Sequence, residues 1–240
     1  MKKNILILIL LIQTLAVFSQ QWIQDTNNKY ALSYPPGAYG FCLLTVNDTL
    51  YIGGHFLKIS GVNANFIAKY YNGQWYTLNN GLDYDARVLL FHNGNLYVAG
   101  GFISADGNPG TRGLARWDGN NWWPIGTNSN CFSCCYSMEL YDNKVFFGGG
   151  NMMGMAWGVI AWDGSSWTNK CNLPVIGFLK RNNSDLLAGF TPGGFIKFEG
   201  DTIWSINPYG GIYGDMYRAE WDTINNLLYV SGDFDWVNIT

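Results

Sequence analysis

One string of apolar-aromatic-apolar-small-Gly character recurs along this chain, and no other feature restricts its fold as much. It reads Leu50-Tyr51-Ile52-Gly53-Gly54, then Leu96-Tyr97-Val98-Ala99-Gly100. It returns as Val145-Phe146-Phe147-Gly148-Gly149 and Leu228-Tyr229-Val230-Ser231-Gly232. A degraded copy, Leu186-Leu187-Ala188-Gly189, reads as one residue short. From Leu50 the steps are 46, 49, 41 and 42 residues. A second string follows each of the first four: an apolar segment ending in an aromatic, a tight turn, then Trp. Its copies are Ile67-Ala68-Lys69-Tyr70 to Trp75, Leu114-Ala115-Arg116-Trp117 to Trp122, Ile160-Ala161-Trp162 to Trp167, and Ile196-Lys197-Phe198 to Trp204. Self-similarity at such a period marks a repeat architecture.

Turn chemistry converts the strings into strands. Asn47-Asp48, Asn93-Gly94, Asp142-Asn143 and Asn225-Asn226 separate each opening apolar run from its Gly string. Asn72-Gly73, Asp118-Gly119, Asp163-Gly164 and Glu199-Gly200-Asp201 separate the aromatic from the Trp. Asn, Asp and Gly tolerate the positive φ that tight hairpins demand. Each unit is therefore four antiparallel strands, which makes an all-β chain and, at about 45 residues per unit, a β-propeller blade. No segment shows a sustained 3.6-residue period. The blades fall at approximately 41–82, 86–127, 136–172, 176–207 and 216–240, four full and a partial fifth. Gln21-Trp22 matches Gln74-Trp75, so a fourth-type strand is expected at the start of the mature chain. The fifth unit stops after its second strand. The reading is a fragment, truncated at the C-terminus, of a protein with six or more blades; an irregular five-bladed ring is the alternative.

The repeat resembles a kelch motif, in which a Gly pair ends the second strand, an aromatic followed by Asp ends the third, and a Trp opens the fourth. Gly100-Gly101, Trp117-Asp118 and Trp122 match best, then Gly148-Gly149, Trp162-Asp163 and Trp167. The first unit has Gly53-Gly54, Tyr70 and Trp75, with Asn72 near the expected Asp; the fourth has Phe198 and no Gly pair. The resemblance covers roughly residues 41–236 and extends in style to secreted propellers of Bacteroidetes-type bacteria. It implies a fold and no activity. Galactose oxidase shares such blades, but its copper site takes two Tyr, two His and a Tyr–Cys crosslink. This chain has only His55 and His92, expected at opposite ends of a blade. No cofactor is expected. The repeated Trp and Gly are read as packing devices: Trp75, Trp117, Trp122, Trp162 and Trp167 fill the space between blades, and the Gly residues admit a neighbouring backbone.

Residues 1–19 read as a secretory signal peptide. Lys2 and Lys3 precede an apolar run, and Val17 and Ser19 suit a cleavage site near Ser19. That run is too short to span about 30 Å of hydrocarbon. Residues 20–240 then form the propeller, secreted or held at the cell surface, with no transmembrane segment. Without Lys2 and Lys3 the 14 basic residues become 12 against 17 acidic ones, and none cluster, which argues against a nucleic-acid partner.

Five cysteines, Cys42, Cys131, Cys134, Cys135 and Cys171, fall in or beside the loops joining one unit to the next. Export favours disulfides, so one or two bridges are expected among Cys131, Cys134, Cys135 and Cys171, with the pairing open; a zinc site is the alternative. Cys42 is read as the odd cysteine, buried as a small apolar residue. The loops after the second strands, roughly 55–65, 101–112 and 150–158, differ most between units, and a rigid scaffold carries binding on such loops. They give a candidate ligand face of His55, Asp106, Asn108, Arg112 and Trp157. For Asp106 to Gly110 a simple turn is the competing reading. No catalytic pair or triad stands out, and no catalytic residue is assigned. The first functional expectation is an extracellular interaction module binding a protein or a glycan. A carbohydrate-active enzyme with catalytic residues partly beyond Thr240, and a structural spacer, are the alternatives.

Overall fold

In a computed structural model, the structure describes residues 32–33, 37–126, 135–150, 157–172, 175–181, 185–190, 194–199, 202–205, 212–222 and 227–237. The signal peptide, the strand expected at Trp22, and the turns at Gly200 and Asn225 lie outside them. The described chain is all-β; its one helical segment is a 3-10 turn at Pro109–Thr111.

Strand β1 (Leu32–Ser33) precedes β2 (Tyr39–Val46) and β3 (Thr49–His55). Then come β4 (Lys58–Ile59), β5 (Val62–Asn63), β6 (Ile67–Tyr71) and β7 (Gln74–Thr77). The next eight are β8 (Ala86–His92), β9 (Asn95–Gly100), β10 (Leu114–Trp117), β11 (Trp122–Pro124), β12 (Cys135–Tyr141), β13 (Lys144–Gly150), β14 (Trp157–Trp162) and β15 (Trp167–Cys171). The last six are β16 (Val175–Arg181), β17 (Asp185–Phe190), β18 (Gly194–Glu199), β19 (Thr202–Ser205), β20 (Ile212–Asp222) and β21 (Leu227–Val237). Four four-stranded antiparallel sheets follow one another, β2-β3-β6-β7, β8 to β11, β12 to β15 and β16 to β19, and β20 pairs with β21. The Gly string and the Trp string of each complete unit thus belong to the same sheet. The loop after β3 holds something the sequence reading did not foresee, a small sheet in which β4 pairs with both β1 and β5.

The period of two in each strand sends alternate side chains into different layers. Leu96 and Val98 of β9 join Ile67, Leu78 and Leu82 in a layer between the first and second sheets. Their neighbours Tyr97 and Ala99 join Val145, Phe147 and Ile160 between the second and third. Phe146, Val159 and Ala161 then pack with Leu186, Ala188 and Phe198 between the third and fourth. The second and third sheets are thus apolar on both sides and are covered by their sequence neighbours. Successive sheets approach most closely through their first strands, β2 to β8 to β12 to β16 to β20. The repeated aromatics pack at tilted angles across the hairpins, Tyr70 on Trp75 at 5.0 Å, Trp117 on Trp122 at 5.2 Å and Trp162 on Trp167 at 4.9 Å between ring centroids.

The first strand of each of the five sheets that carry a Gly string has a bulge opposite the end of that string. Gly40 pairs with Gly54 but Cys42 with Gly53, so Phe41 is extra. Ala86 pairs with Gly100 but Val88 with Ala99, so Arg87 is extra. The same offset makes Tyr136, Ile176 and Tyr217 extra in β12, β16 and β20. A bulge bends its strand locally, and the glycines stand where that strand comes close: a Cβ on Gly54 would stand 2.3 Å from the Tyr39 carbonyl oxygen, and one on Gly100 would stand 1.9 Å from that of Asp85. The register also corrects the fourth string. It is full length, because Phe190 pairs with Val175 and takes the position of the last glycine.

The turns divide into two kinds. Asn72-Gly73, Asn93-Gly94 and Asp142-Asn143 have positive φ at both residues, as two-residue hairpins require. At Asp118-Gly119 and Asp163-Gly164 only the glycine does. Here the aspartates act through their carboxylates, a correction to the φ argument. Asp118 Oδ1 accepts from the amides of Asn120 and Asn121 at 2.8 and 2.7 Å, and Asp163 Oδ1 accepts from those of Ser165 and Ser166, both at 2.8 Å. These bonds favour the ionised form and hold both carboxyls below the usual range, Asp163 furthest. A depressed folded pKa gives stability that is complete above the unfolded value and is lost as pH falls through the folded one. The Asp163 hairpin should therefore loosen only well below pH 4. A carboxyl carbon titration by NMR checks this: a midpoint near that of an ordinary aspartate would contradict it.

Candidate functional site

The connector from β7 to β8, residues 78–85, is tied to the loops on either side of it. Leu82 N donates to Asn65 O at 3.0 Å, and Asp106 N donates to Gly81 O at 2.9 Å. Asp83 Oδ1 accepts from the amides of Ile103 and Ser104 at 2.7 and 3.1 Å. Asp106 Oδ1 accepts from Asn80 N and Asn80 Nδ2 at 3.2 and 2.5 Å. The three segments gather at one end of the first two sheets. The tight hairpins β2–β3, β6–β7, β8–β9 and β10–β11 lie at the other, and there His92, Asn93, Asn143, Asp163 and Gly164 line a hollow between the second and third sheets.

At the gathered end His55, the last residue of β3, meets Asp85, the last residue of the connector. His55 Nδ1 lies 2.5 Å from Asp85 Oδ1. The Asp85 residue is buried to 3 % exposure, and Arg87 Nη2 stands 4.0 Å from its other oxygen. The carboxylate fixes the imidazole by its Nδ1 side. Aromatic rings frame it: Tyr39 stacked at 5.4 Å, Tyr84 edge-on at 5.7 Å and Phe66 at 5.9 Å. Tyr39 and Tyr84 are 49 % and 47 % exposed. Exposed aromatic surface around a positioned imidazole on tied loops offers flat rings for stacking and polar groups for orientation.

Of the predicted ligand face, His55 stands in this aromatic group. Asp106 has φ 52° and its carboxylate organises Asn79 and Asn80. Asn108 Oδ1 accepts from Gly110 N at 3.0 Å and caps the 3-10 turn. Asp106 to Gly110 thus form a turn, with the Asp106 side chain bonded to the neighbouring connector and that of Asn108 to the turn's own backbone. Arg112 follows that turn, half-buried. Trp157 opens β14 opposite Gly150. Residues 151–156 lie outside the described chain. Tyr39, Tyr84, Asp85 and Arg87 were missed. Their signal was the Asp83-Tyr84-Asp85 run immediately before an opening strand, with charge and aromatics where the other connectors have neither in this order.

The structure narrows the disulfide expectation by one pairing. No bridge joins two described cysteines. Cys135 is buried in the layer between the second and third sheets, and Cys171 packs in the layer between the third and fourth. They stand on opposite sides of one sheet and cannot pair with each other. Cys131 and Cys134 lie outside the described residues. Cys42 is half-buried against the first layer, with Sγ 3.8 Å from Ala86 O. Among the described residues no group of three or more His, Cys, Asp or Glu stands close enough to hold a metal. Nor is any described helix long and apolar enough to cross a membrane.

No protein-family model matches the chain, and no curated protein matches it. Among solved structures it is similar to the extracellular domain of the one-component system BT4673 from B. thetaiotaomicron, with TM-score 0.56, 14 % identity, and coverage of 88 % of this chain and 26 % of that one. It is similar to the computationally designed protein Ika8 at TM-score 0.54 and 12 % identity, covering 80 % and 55 %. YCF48 bound to D1 peptide gives TM-score 0.50 and 11 % identity, covering 86 % and 64 %. The chain thus spans about a quarter of the BT4673 domain and less than two thirds of the other two. These neighbours include proteins of β-propeller type, and at such identities they speak to the fold.

Proposed function

We propose that the chain is an exported, extracellular or cell-surface interaction module, its sheets the blades of a kelch-like β-propeller. It binds a protein or glycan at the loop end of its first two sheets. The observation that carries this is the imidazole of His55, anchored by Asp85 and framed by the exposed rings of Tyr39 and Tyr84. Two kinds of neighbour support it: extracellular domains of Bacteroides sensor proteins, and a propeller-type protein solved with a peptide. The apolar run at residues 1–19 supports export.

The parent protein, a Tyr39→Ala/Tyr84→Ala double variant and a His55→Ala variant should be screened on the same glycan and peptide arrays. Both variants are expected to lose at least about tenfold in affinity for whatever the parent retains. Parent-like binding by both would remove this surface from the account.

The same pair supports one second reading, an enzyme, because a carboxylate holding His Nδ1 is how a general base is oriented. Release of reducing ends from a polysaccharide panel by the parent, abolished in His55→Ala, would favour it; no release by the parent would end it.

A further inference from the structure

The five bulges repeat a costly local feature at one register position, and three of the extra residues have described side chains: Phe41, Arg87 and Tyr136. A bulge takes the extra residue out of the inward–outward alternation and re-aims its side chain. Phe41 and Tyr136 are 43 % and 42 % exposed. The Arg87 guanidinium lies 6.0 Å from the centre of the Phe41 ring. Because β2, β8 and β12 lie side by side, these residues come from three adjacent strands, with the cation on the middle one. Ile176 and Tyr217 hold the same register position in β16 and β20, so the sequence keeps large apolar or aromatic types there.

Packing alone does not ask for this pattern. The layers between sheets are filled by the alternating residues, and the extra ones stand outside them. Exposed aromatics flanking an arginine are the anchors of protein–protein recognition, where Tyr and Arg carry much of the energy. The planar guanidinium matches a carboxylate in two-point geometry. The nearest carboxylate, Asp85, holds His55 with Oδ1 and stands 4.0 Å from Arg87 Nη2 with Oδ2, so a ligand carboxylate would join this pair on the guanidinium.

We propose that the bulged residues Phe41, Arg87 and Tyr136 form one recognition strip that takes an acidic peptide segment, with its carboxylate on Arg87 and its apolar or aromatic side chains on the two rings. This rests on the interaction-module reading and adds the ligand class and a second patch of residues.

The test is fluorescence anisotropy with a labelled octapeptide of alternating Glu and Tyr, its Gln-Tyr counterpart, and an oligogalacturonate as competitor. Arg87→Gln and Tyr136→Ala are each expected to weaken the Glu-Tyr peptide about tenfold. Arg87→Gln should leave the Gln-Tyr peptide unaffected. Unfolding midpoints show whether the variants fold; Tyr136 is exposed enough that its truncation tests the strip even if Arg87→Gln does not fold. Three results would overturn the proposal. One is no binding of the Glu-Tyr peptide by the parent. Another is a dissociation constant within about twofold of the parent in Tyr136→Ala. The third is displacement by oligogalacturonate at equal concentration. Peptide binding that falls only in the Tyr39→Ala/Tyr84→Ala variant would overturn the strip and leave the loop-end reading standing. Array binding that survives that variant, with the strip effects present, would do the reverse.

Discussion

Gly100→Ala lowers the unfolding midpoint by about 10 °C, a loss of roughly 4 kcal/mol for a domain of this size. The added Cβ would lie 1.9 Å from the Asp85 carbonyl oxygen. That neighbour is backbone, so relief requires the start of β8 to move away from β9. The movement displaces Arg87 and the residue that anchors His55, so binding at the loop end should fall together with stability. Gly94→Asn is the control: Gly94 has φ 76° and nothing within 4 Å of its would-be Cβ. Asparagine tolerates that conformation, so the midpoint should move by no more than about 2 °C. Thermal unfolding followed by circular dichroism reads both. Equal midpoints for Gly100→Ala and the parent would mean that the bulge does not crowd the Gly string.

Trp122→Ala is expected to cost about 4 kcal/mol. Trp122 is 5 % exposed in the layer between the first and second sheets, packs on Trp117, and its Nε1 donates to Leu78 O at 2.9 Å. Truncation leaves a large cavity at the junction of the two sheets and removes one of two donors to the Leu78 carbonyl, which keeps Gly81 N at 3.0 Å. Trp122→Phe keeps most of the volume and loses the donor, so about 1–2 kcal/mol is expected. Chemical denaturation of both variants separates packing from hydrogen bonding. A cost for Trp122→Ala no greater than that of Trp122→Phe would show that the ring does not hold the sheets together.

What the sequence made legible was local. The period of two in Leu96-Tyr97-Val98 and the Asn-Gly turns act within a few residues, so the hairpins followed from the residue types. The pairing of the two strings in one sheet followed from their fixed order. Bulges were not legible, because an extra residue in β8 becomes visible only when Gly100 and Ala99 choose their partners. For the same reason the fourth string was read as short; its last position is occupied by Phe190, a residue type the pattern did not admit. The His55–Asp85 pair is separated by 30 residues and depends on how the connector is tied to Asn65 and Ile103, which no local pattern encodes. For the cysteines, position in sequence says nothing about which side of a sheet a thiol occupies: Cys135 and Cys171 flank the third sheet from opposite layers. At the turns, Asp118 and Asp163 were placed correctly for a reason that proved wrong, since their carboxylates and not their φ angles make the hairpins.

All of these readings depend on the sheets packing face to face in chain order, with adjacent first strands. Methyl NOEs in specifically labelled protein test that most directly. The account predicts that Val98 shows contacts into the set Ile67, Leu78 and Leu82, and Val145 into the set Leu114 and Ile125. Val98 methyls in contact with Leu114 or Ile125 of the second layer, or sheets without NOEs between them, would contradict it.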